Sequence, residues 1–101
     1  MANIKTDRDN IVLNAAIRCA EEDGWHYITR AKTARLADVA VGTVNNAYGD
    51  VTALKDAVMQ AAIDRRLLPI LAEGLAFGNP VAKSAPEELR LEAAMHLASG
   101  A

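Results

Sequence analysis

Apolar side chains recur at intervals of three and four residues near the start of the chain, the spacing that places them on one face of an α-helix. Asp7 and Asp9 lie at the beginning of this segment, where negative charge stabilises the helix dipole. Gly24 follows the segment and is a residue type that often ends helices. The pattern predicts a first helix over Asp7–Asp23, with Ile11, Val12, Ala15, Ala16, Cys19 and Ala20 on its apolar face.

Two shorter helices are predicted next, separated by a tight turn. Thr29 has a side chain that can cap the first of them, and Gly49 can end the second. These signals predict helices over Arg30–Ala37 and Val41–Tyr48, with residues 38–40 as the turn. The positions expected to face inward are Thr33, Ala34, Leu36, Ala37, Val39, Val44 and Tyr48.

The helical pattern that follows is longer, and a proline interrupts it. It runs over residues 52–75, and Asp50 or Thr52 is placed to cap its start. Pro69 falls inside the pattern, where proline removes a backbone hydrogen bond and kinks the helix axis. We therefore expect either a bend at residues 65–68 or two helices in succession.

A loop and a capped helix are predicted for the remaining residues. Gly-Asn-Pro at 78–80 is typical of a loop. Ser84 and Glu87 have the spacing of a capping box, in which each side chain accepts from the other's backbone N–H, and the final helix is expected over residues 85–98. With 21 alanines and only four aromatic residues, the chain is predicted to be all-α.

Charge is distributed unevenly along the chain. The formal net charge is −2, yet residues 1–66 carry nine basic and nine acidic side chains, whereas residues 67–101 carry two basic and four acidic ones. Residues 25–37 hold three cations and no acid: Arg30, Lys32 and Arg35. Because salt screens a charge beyond roughly 10 Å, such a strip can bind phosphate on a protein whose net charge is negative.

Several classes of function lack their residue patterns. His26 and His96 lie on different segments without a nucleophile or carboxylate at catalytic spacing, and the chain has neither a glycine-rich phosphate loop nor a metal-ligand pair. Cys19, the single cysteine, is expected to be a small core residue. The first ten residues are polar, and no run of about 18 apolar residues occurs. We expect no enzyme, cofactor or metal, and a soluble, cytoplasmic protein without membrane contact.

Residues 30–48 have the organisation that a helix-turn-helix requires: a short supporting helix, a tight turn, and a second helix with one packing face and one outward face. The outward positions of the second helix are Val41, Gly42, Thr43, Asn45 and Asn46. None of them is charged, so attraction for phosphate is expected from the supporting segment. Trp25 and Tyr27 are assigned to packing at the helix junction, with a phosphate contact as the alternative for Tyr27.

Residues 7–59 resemble the DNA-binding domain of the TetR (tetracycline-repressor) family of bacterial regulators. The resemblance is carried by the stretches IVLNAAIRCAEEDGW and ITRAKTARLADVAVGTVNNAYGDVTALKDAVM. Gly24 lies 18 residues before Gly42 of the Gly-Thr-Val triplet, as in the family and without a gap. The Tyr-Gly-Asp triplet ending at Asp50, followed by Leu54, matches the aromatic-glycine-polar junction and the apolar position that come next in the family.

Three positions depart from the family pattern. Asp38 stands where the family has a turn glycine, Asn45 where it has a tyrosine, and Val51 where it has a lysine. The last two changes remove two customary phosphate contacts. Lys55, one helical turn beyond Val51, is placed to substitute for the missing lysine.

The resemblance implies double-stranded DNA as the partner and assigns contacts by position. Thr29 and Arg30 match phosphate-contacting positions, and Thr43, Asn45 and Asn46 match groove-facing ones. Their chemistry agrees, since asparagine can pair bidentately with adenine and threonine can contact a base or a thymine methyl. The set predicted to bind DNA is Thr29, Arg30, Lys32, Arg35, Val41, Gly42, Thr43, Asn45, Asn46 and Lys55.

The chain is too short for a second complete domain. We divide it into a TetR-like DNA-binding domain at 1–59 and a helical extension for packing and dimerisation at 60–101. Two extra helices cannot enclose a ligand cavity, so neither a classical inducer site nor a small-molecule effector is expected. Surplus apolar surface predicts a homodimer, with an interface formed by Ile63, Leu67, Leu71, Leu75, Leu89, Met95 and Leu97.

The leading hypothesis is a small dimeric repressor that binds an inverted-repeat operator. The alternative is a helical protein-interaction module, such as an antirepressor or an assembly factor, that keeps the helix-turn-helix shape without binding DNA. The missing tyrosine and lysine contacts and the acidic C-terminal part favour that alternative. A third hypothesis is a sensor that holds a small molecule between two subunits.

Overall fold

The computed structural model describes residues 7–98, which form seven α-helices and one 3-10 turn without any β-strand. The prediction of an all-α fold is therefore confirmed. In chain order the elements are α1 (Asp7–Asp23), the 3-10 turn (Trp25–Tyr27), α2 (Arg30–Ala37), α3 (Val41–Tyr48), α4 (Val51–Arg65), α5 (Leu68–Ala76), α6 (Pro80–Lys83) and α7 (Glu87–Ala98).

The first three helices begin and end where the sequence predicts. Thr29 caps α2, because its Oγ1 accepts a hydrogen bond of 3.2 Å from the backbone N–H of Lys32. Gly24 ends α1 with a φ of +103°, and Gly49 ends α3 with a φ of +81°. Glycine adopts such positive φ angles without steric cost. Short-range capping signals thus determine these bounds.

The beginning of α4 resolves an open choice between two capping residues. Asp50 is the cap, since its Oδ1 accepts a hydrogen bond of 2.8 Å from the backbone N–H of Ala53. The helix therefore starts at Val51, one residue before the predicted start. Thr52 lies inside the first turn of the helix and is exposed.

The long pattern over residues 52–75 forms two helices in succession, which was one of the two predicted outcomes. Arg66 ends α4 in the left-handed conformation, with a φ of +56°. Pro69 is the second residue of α5, where its missing N–H costs no intrahelical hydrogen bond. The chain reverses at this point, and α5 packs back against α4.

The capping box predicted at Ser84 and Glu87 is wrong, and so is the loop that extended to Pro80. Pro80 begins the short helix α6, which Asn79 caps by accepting a hydrogen bond of 2.9 Å from the N–H of Ala82. Ser84 ends α6 and donates its hydroxyl to the carbonyl of Val81 at 2.6 Å. The final helix begins at Glu87 instead of residue 85 because Pro86 disfavours helical geometry in the residue before it.

A single hydrophobic core spans the predicted domain boundary at residue 59. Met59 is fully buried in the middle of α4, and the same cluster extends from Val12 on α1 to Ala93 on α7. Cys19 is fully buried within it, as predicted. The extension predicted at 60–101 therefore shares the core of the segment predicted at 1–59.

The 3-10 turn connects the N-terminal helices to α4 and α5. Glu73 on α5 accepts hydrogen bonds from the backbone N–H groups of Trp25 (2.8 Å) and His26 (3.4 Å). Trp25 is buried and donates its indole N–H to the carbonyl of Lys55 at 2.9 Å. Packing by Trp25 is confirmed, whereas Tyr27, expected to pack beside it, is 65 % exposed. Partners up to 48 residues away thus hold the 3-10 turn that precedes α2.

The turn between α2 and α3 depends on a left-handed residue that is not glycine. Asp38 has φ +59° and ψ +48°, a conformation in which a Cβ is strained, although aspartate tolerates it better than most residues. We expect Asp38→Gly to exceed Asp38→Ala by about 1–2 kcal/mol in free energy of unfolding. Urea denaturation measures this difference, and Asp38→Asn, which keeps the left-handed preference without charge, serves as the control. Equal stability of the Gly and Ala variants would contradict the left-handed conformation of residue 38.

Candidate nucleic-acid interface

The α3 helix is held on the body of the protein by one side and leaves the other side open. Val44 is buried in the core, and the Tyr48 hydroxyl donates a hydrogen bond of 3.1 Å to the carbonyl of Asp9 on α1. Partial burial, with a smaller contribution from the Asp9 charge, raises the pKa of Tyr48 above its ordinary value of 10.0. Tyr48 is thus a neutral anchor of α3, consistent with its predicted role in packing.

The open side of α3 carries the five residues predicted to face outward. Gly42 and Asn46 form the middle of this surface and are exposed, as is Val41 at the start of the helix. Asn45 and Thr43 lie at its two edges and are half-buried. We call these five residues the α3 face. It is uncharged and presents two amides and one hydroxyl.

Gly42 has no packing reason to be glycine. A Cβ built at this position meets no atom within 4 Å, and the backbone is not in a left-handed conformation. A glycine inside a helix costs about 1 kcal/mol relative to alanine. The α3 face is therefore flat at its centre at the expense of helix stability, which is a feature expected of a surface that another molecule approaches closely.

One edge of the α3 face adjoins a cleft where three helices begin. Thr29, Arg30, Val41 and Lys55, all predicted to bind DNA, line this cleft together, and its volume is about 400 Å³. The first residues of α2, α3 and α4 all border it. Helix N-termini attract anions through their unpaired N–H groups and the helix dipole. Residues from three separate segments are thus brought to one surface suited to phosphate.

The opposite edge of the α3 face borders the start of α1. Thr43 and Asn46 line a second cleft, of about 460 Å³, together with Arg8 and its acidic neighbours Asp7 and Asp9. Arg8 was not among the predicted DNA-binding residues. The sequence shows its charge but not the contact between α1 and α3, which only the folded chain provides. The two adjacent aspartates also hide it in any count of local charge.

Lys32 is not the free cation that the sequence predicts. Its Nζ lies 2.7 Å from Asp23 Oδ2 and 3.0 Å from Glu22 Oε1. Hydrogen bonding to Asp23, and then to Glu22, raises the pKa of Lys32 above 10.5. The strip over residues 25–37 is acid-free along the chain, but α1 brings two carboxylates against it. The charge of Lys32 is therefore compensated within the protein.

The other predicted cations keep their charge available. Lys55 donates to the carbonyl of His26 at 2.8 Å and lies 5.8 Å from the centre of the Trp25 ring, and both of these partners are uncharged. Arg35 is exposed on α2. Arg30 donates from Nη1 to Asn45 Oδ1 at 3.2 Å. Positive charge at the cleft therefore comes from Arg30 and Lys55, and Arg35 adds an exposed charge on α2.

No family model matches this chain, and neither a curated protein nor a solved structure does. In the part of the chain that the structure describes, no three His, Cys, Asp or Glu side chains are grouped so that they can hold a metal ion. None of the helices within residues 7–98 has the length and apolar character needed to cross a membrane.

The apolar residues predicted to form a dimer interface fall into three groups. Leu71 and Leu89 are buried in the core of the single chain, so their assignment to an interface is wrong. Ile63, Leu67 and Leu75 are half-buried against that core. The two exposed members are Met95 and Leu97, and Leu91 on the same helix α7 is exposed as well.

The C-terminal helices border an open groove. An open groove of about 720 Å³ lies beside the link between α4 and α5, and Glu73, Arg66 and His96 are among its lining residues. The Glu73 carboxylate is already bonded to the 3-10 turn, and Arg66 pairs with Glu92 on α7. Because this groove is open to solvent, it is not an enclosed ligand cavity, and the absence of an inducer site stays a prediction.

Proposed function

We propose that this protein is a sequence-specific, double-stranded DNA-binding transcriptional regulator in which α2 and α3 form a helix-turn-helix. The observation that carries the proposal is the α3 face: uncharged, capable of hydrogen bonding, and kept flat at Gly42 where a Cβ would have free space. A helix with these properties can enter the major groove and contact base edges. The resemblance of residues 7–59 to TetR regulators supports the same assignment.

Affinity for the DNA backbone is proposed to come from the cleft beside the α3 face. The starts of α2, α3 and α4 border this cleft, and Arg30 and Lys55 add two positive charges to it. Phosphate contacts of this kind fix the position of a protein on the duplex, while base contacts supply the sequence preference. Arg8 lies at the other edge of the α3 face, and we propose that it contacts the backbone of the opposite strand.

We further propose a homodimer that acts as a repressor at an inverted repeat. One helix-turn-helix reads few base pairs, and a two-fold dimer contacts half-sites about one helical turn apart. The outer side of α7 supports this, because exposed Leu91, Ala94, Met95 and Ala98 recur at i, i+3, i+4 and i+7. Sedimentation should show a dimer that Met95→Glu converts to a monomer and that Ala76→Glu, on α5, leaves intact. A monomeric wild-type protein would contradict the dimer.

The alternative function is a helical protein-interaction module that does not bind DNA. It is favoured by the compensation of Lys32 and by two exposed carboxylates: Asp7, which lines a cleft with Thr43, and Asp38, in the turn before α3. Such charges oppose phosphate at close range.

Selection from random duplex DNA distinguishes the two functions. We expect wild-type protein to enrich an inverted repeat whose binding weakens steeply as salt concentration rises, because bound phosphates release counterions. Lys83→Ala, which removes a cation on α6, is a matched control that should enrich the same sequence. Failure to enrich any sequence at low salt would exclude the DNA-binding function and leave the interaction module.

Lys32 and Arg35, two cations of α2, are expected to behave differently in DNA binding. Arg35→Ala should reduce the slope of log K against log salt by about 0.9, the value for one lost phosphate contact. Lys32→Ala should leave this slope unchanged, because its ammonium group is bound by Glu22 and Asp23. Fluorescence anisotropy titrations at several salt concentrations measure both slopes. An equal loss for the two variants would show that Lys32 leaves its carboxylates to contact DNA.

A further inference from the structure

The hydrogen bond between Arg30 and Asn45 fixes the orientation of the asparagine side chain. Arg30 Nη1 lies 3.2 Å from Asn45 Oδ1. An arginine side chain has only donors, so the atom of Asn45 that faces it must be the amide oxygen. The oxygen of Asn45 is thus turned toward α2, and its NH₂ group is the part left for another partner.

This orientation changes which base Asn45 can recognise. The bidentate pair between asparagine and adenine needs both ends of the amide, because the oxygen accepts from N6 while the nitrogen donates to N7. The amide oxygen has a second lone pair, but Arg30 holds it turned toward α2, so the group that Asn45 presents to DNA is its NH₂. Guanine presents two acceptors, O6 and N7, on the same groove edge and is the base that such a group fits.

Asn46 is in a different situation one residue later. It is exposed in the middle of the α3 face, and within residues 7–98 its amide takes part in none of the side-chain hydrogen bonds. Both ends of this amide are free to approach DNA. It can therefore form the complete bidentate pair with adenine.

We propose that Arg30 is a positioning residue for sequence specificity, which makes Asn45 a donor-only reader of guanine while Asn46 reads adenine. This inference rests on the proposed DNA-binding function. It revises the assignment of Arg30 to sequence-independent phosphate binding alone. One of the five guanidinium N–H groups holds Asn45, and the others can still bind phosphate.

The test is selection from random duplex DNA with four variants of the full chain. Asn45→Ala identifies the base position that Asn45 reads, because the preference there becomes flat. We expect wild-type protein to select guanine at that position and Arg30→Ala to shift the guanine-to-adenine ratio about tenfold toward adenine. Arg35→Ala is the matched control, which removes a cation from the same helix without releasing an asparagine. It should lower affinity without altering any base preference.

The double variant Arg30→Ala/Asn45→Ala separates positioning from a general structural effect. Its preference at the identified position should equal that of Asn45→Ala alone, since Arg30 acts there only through Asn45. Thermal unfolding checks that each protein is folded.

Two results would overturn this proposal alone. One is selection of adenine by the wild type at both of the base positions that Asn45 and Asn46 read. The other is an Arg30→Ala protein that binds more weakly but still selects guanine at the Asn45 position. If the wild type enriches no sequence, both the proposed DNA-binding function and this proposal about Arg30 fail.

Discussion

A leucine in place of Gly42 is expected to abolish specific DNA binding and, at the same time, to stabilise the free protein. The new side chain projects from the middle of the α3 face, where a Cβ meets no atom within 4 Å. Leucine is a better helix former than glycine, so the free energy of unfolding should rise by about 0.5–1 kcal/mol. Affinity for the selected operator should fall roughly a hundredfold or more, toward the non-specific level.

The opposite signs of these two effects make the Gly42 experiment decisive. Urea denaturation measures the stability, and anisotropy titration with the selected operator measures the affinity. Gly42→Ala should give a similar gain in stability with a smaller loss of affinity, and Ala76→Leu, at an exposed site on α5, should leave DNA binding unchanged. A Gly42→Leu protein that binds as tightly as the wild type would show that the α3 face does not approach DNA.

Substitution of Gly74 by alanine is expected to lower the stability of the protein, whereas the same substitution at Gly42 raises it. A Cβ at this position would overlap Met59 Cε and lie 2.7 Å from Met59 Sδ and 3.0 Å from Ala82 Cβ. Met59 is fully buried, so its side chain would have to shift within the core. Gly74→Ala should therefore lower the free energy of unfolding by about 1–3 kcal/mol through overpacking. Thermal and urea unfolding measure this loss. Gly42→Ala, the same substitution on an open surface, is the protein for comparison.

A second substitution at Met59 tests the cause of that loss. Met59→Ala alone should cost about 2–5 kcal/mol, because it leaves a cavity between α4 and α5. The methyl group of Gly74→Ala occupies part of this cavity, so the double variant should be more stable than the sum of the two losses predicts. Simple additivity would contradict the proposed contact between Met59 and residue 74.

The contrast between these glycines shows how far sequence reasoning reaches. Both lie inside helices, and in the sequence alone each reads as a weak point in a helical pattern. Their surroundings differ because Gly74 faces α4 and α6, whereas Gly42 faces solvent. Met59 and Ala82, the neighbours of Gly74, both lie more than four residues from it along the chain. No local sequence pattern therefore distinguishes a glycine required for packing from one on an open surface.

The same limit explains which parts of the interface were predicted. The outward positions of α3 follow from helical periodicity once Val44 and Tyr48 are assigned inward. The ion pairs of Lys32 and the hydrogen bond between Arg30 and Asn45 join different helices, and Arg8 reaches the site only because α1 packs against α3. These contacts change the electrostatics and the proposed base preference without leaving a signal in the sequence.

The sequence by itself determined the all-helical fold and the bounds of α1, α2 and α3. Thr29, Gly24 and Gly49 act on backbone groups within a few residues, and hydrogen bonds over such short separations are encoded locally. The tertiary structure alone decided that Leu71 and Leu89 belong to the core and that the extension shares this core with the first four helices. Each of these depends on which surfaces of distant helices meet, and many pairings are compatible with the same apolar periodicity until the chain packs.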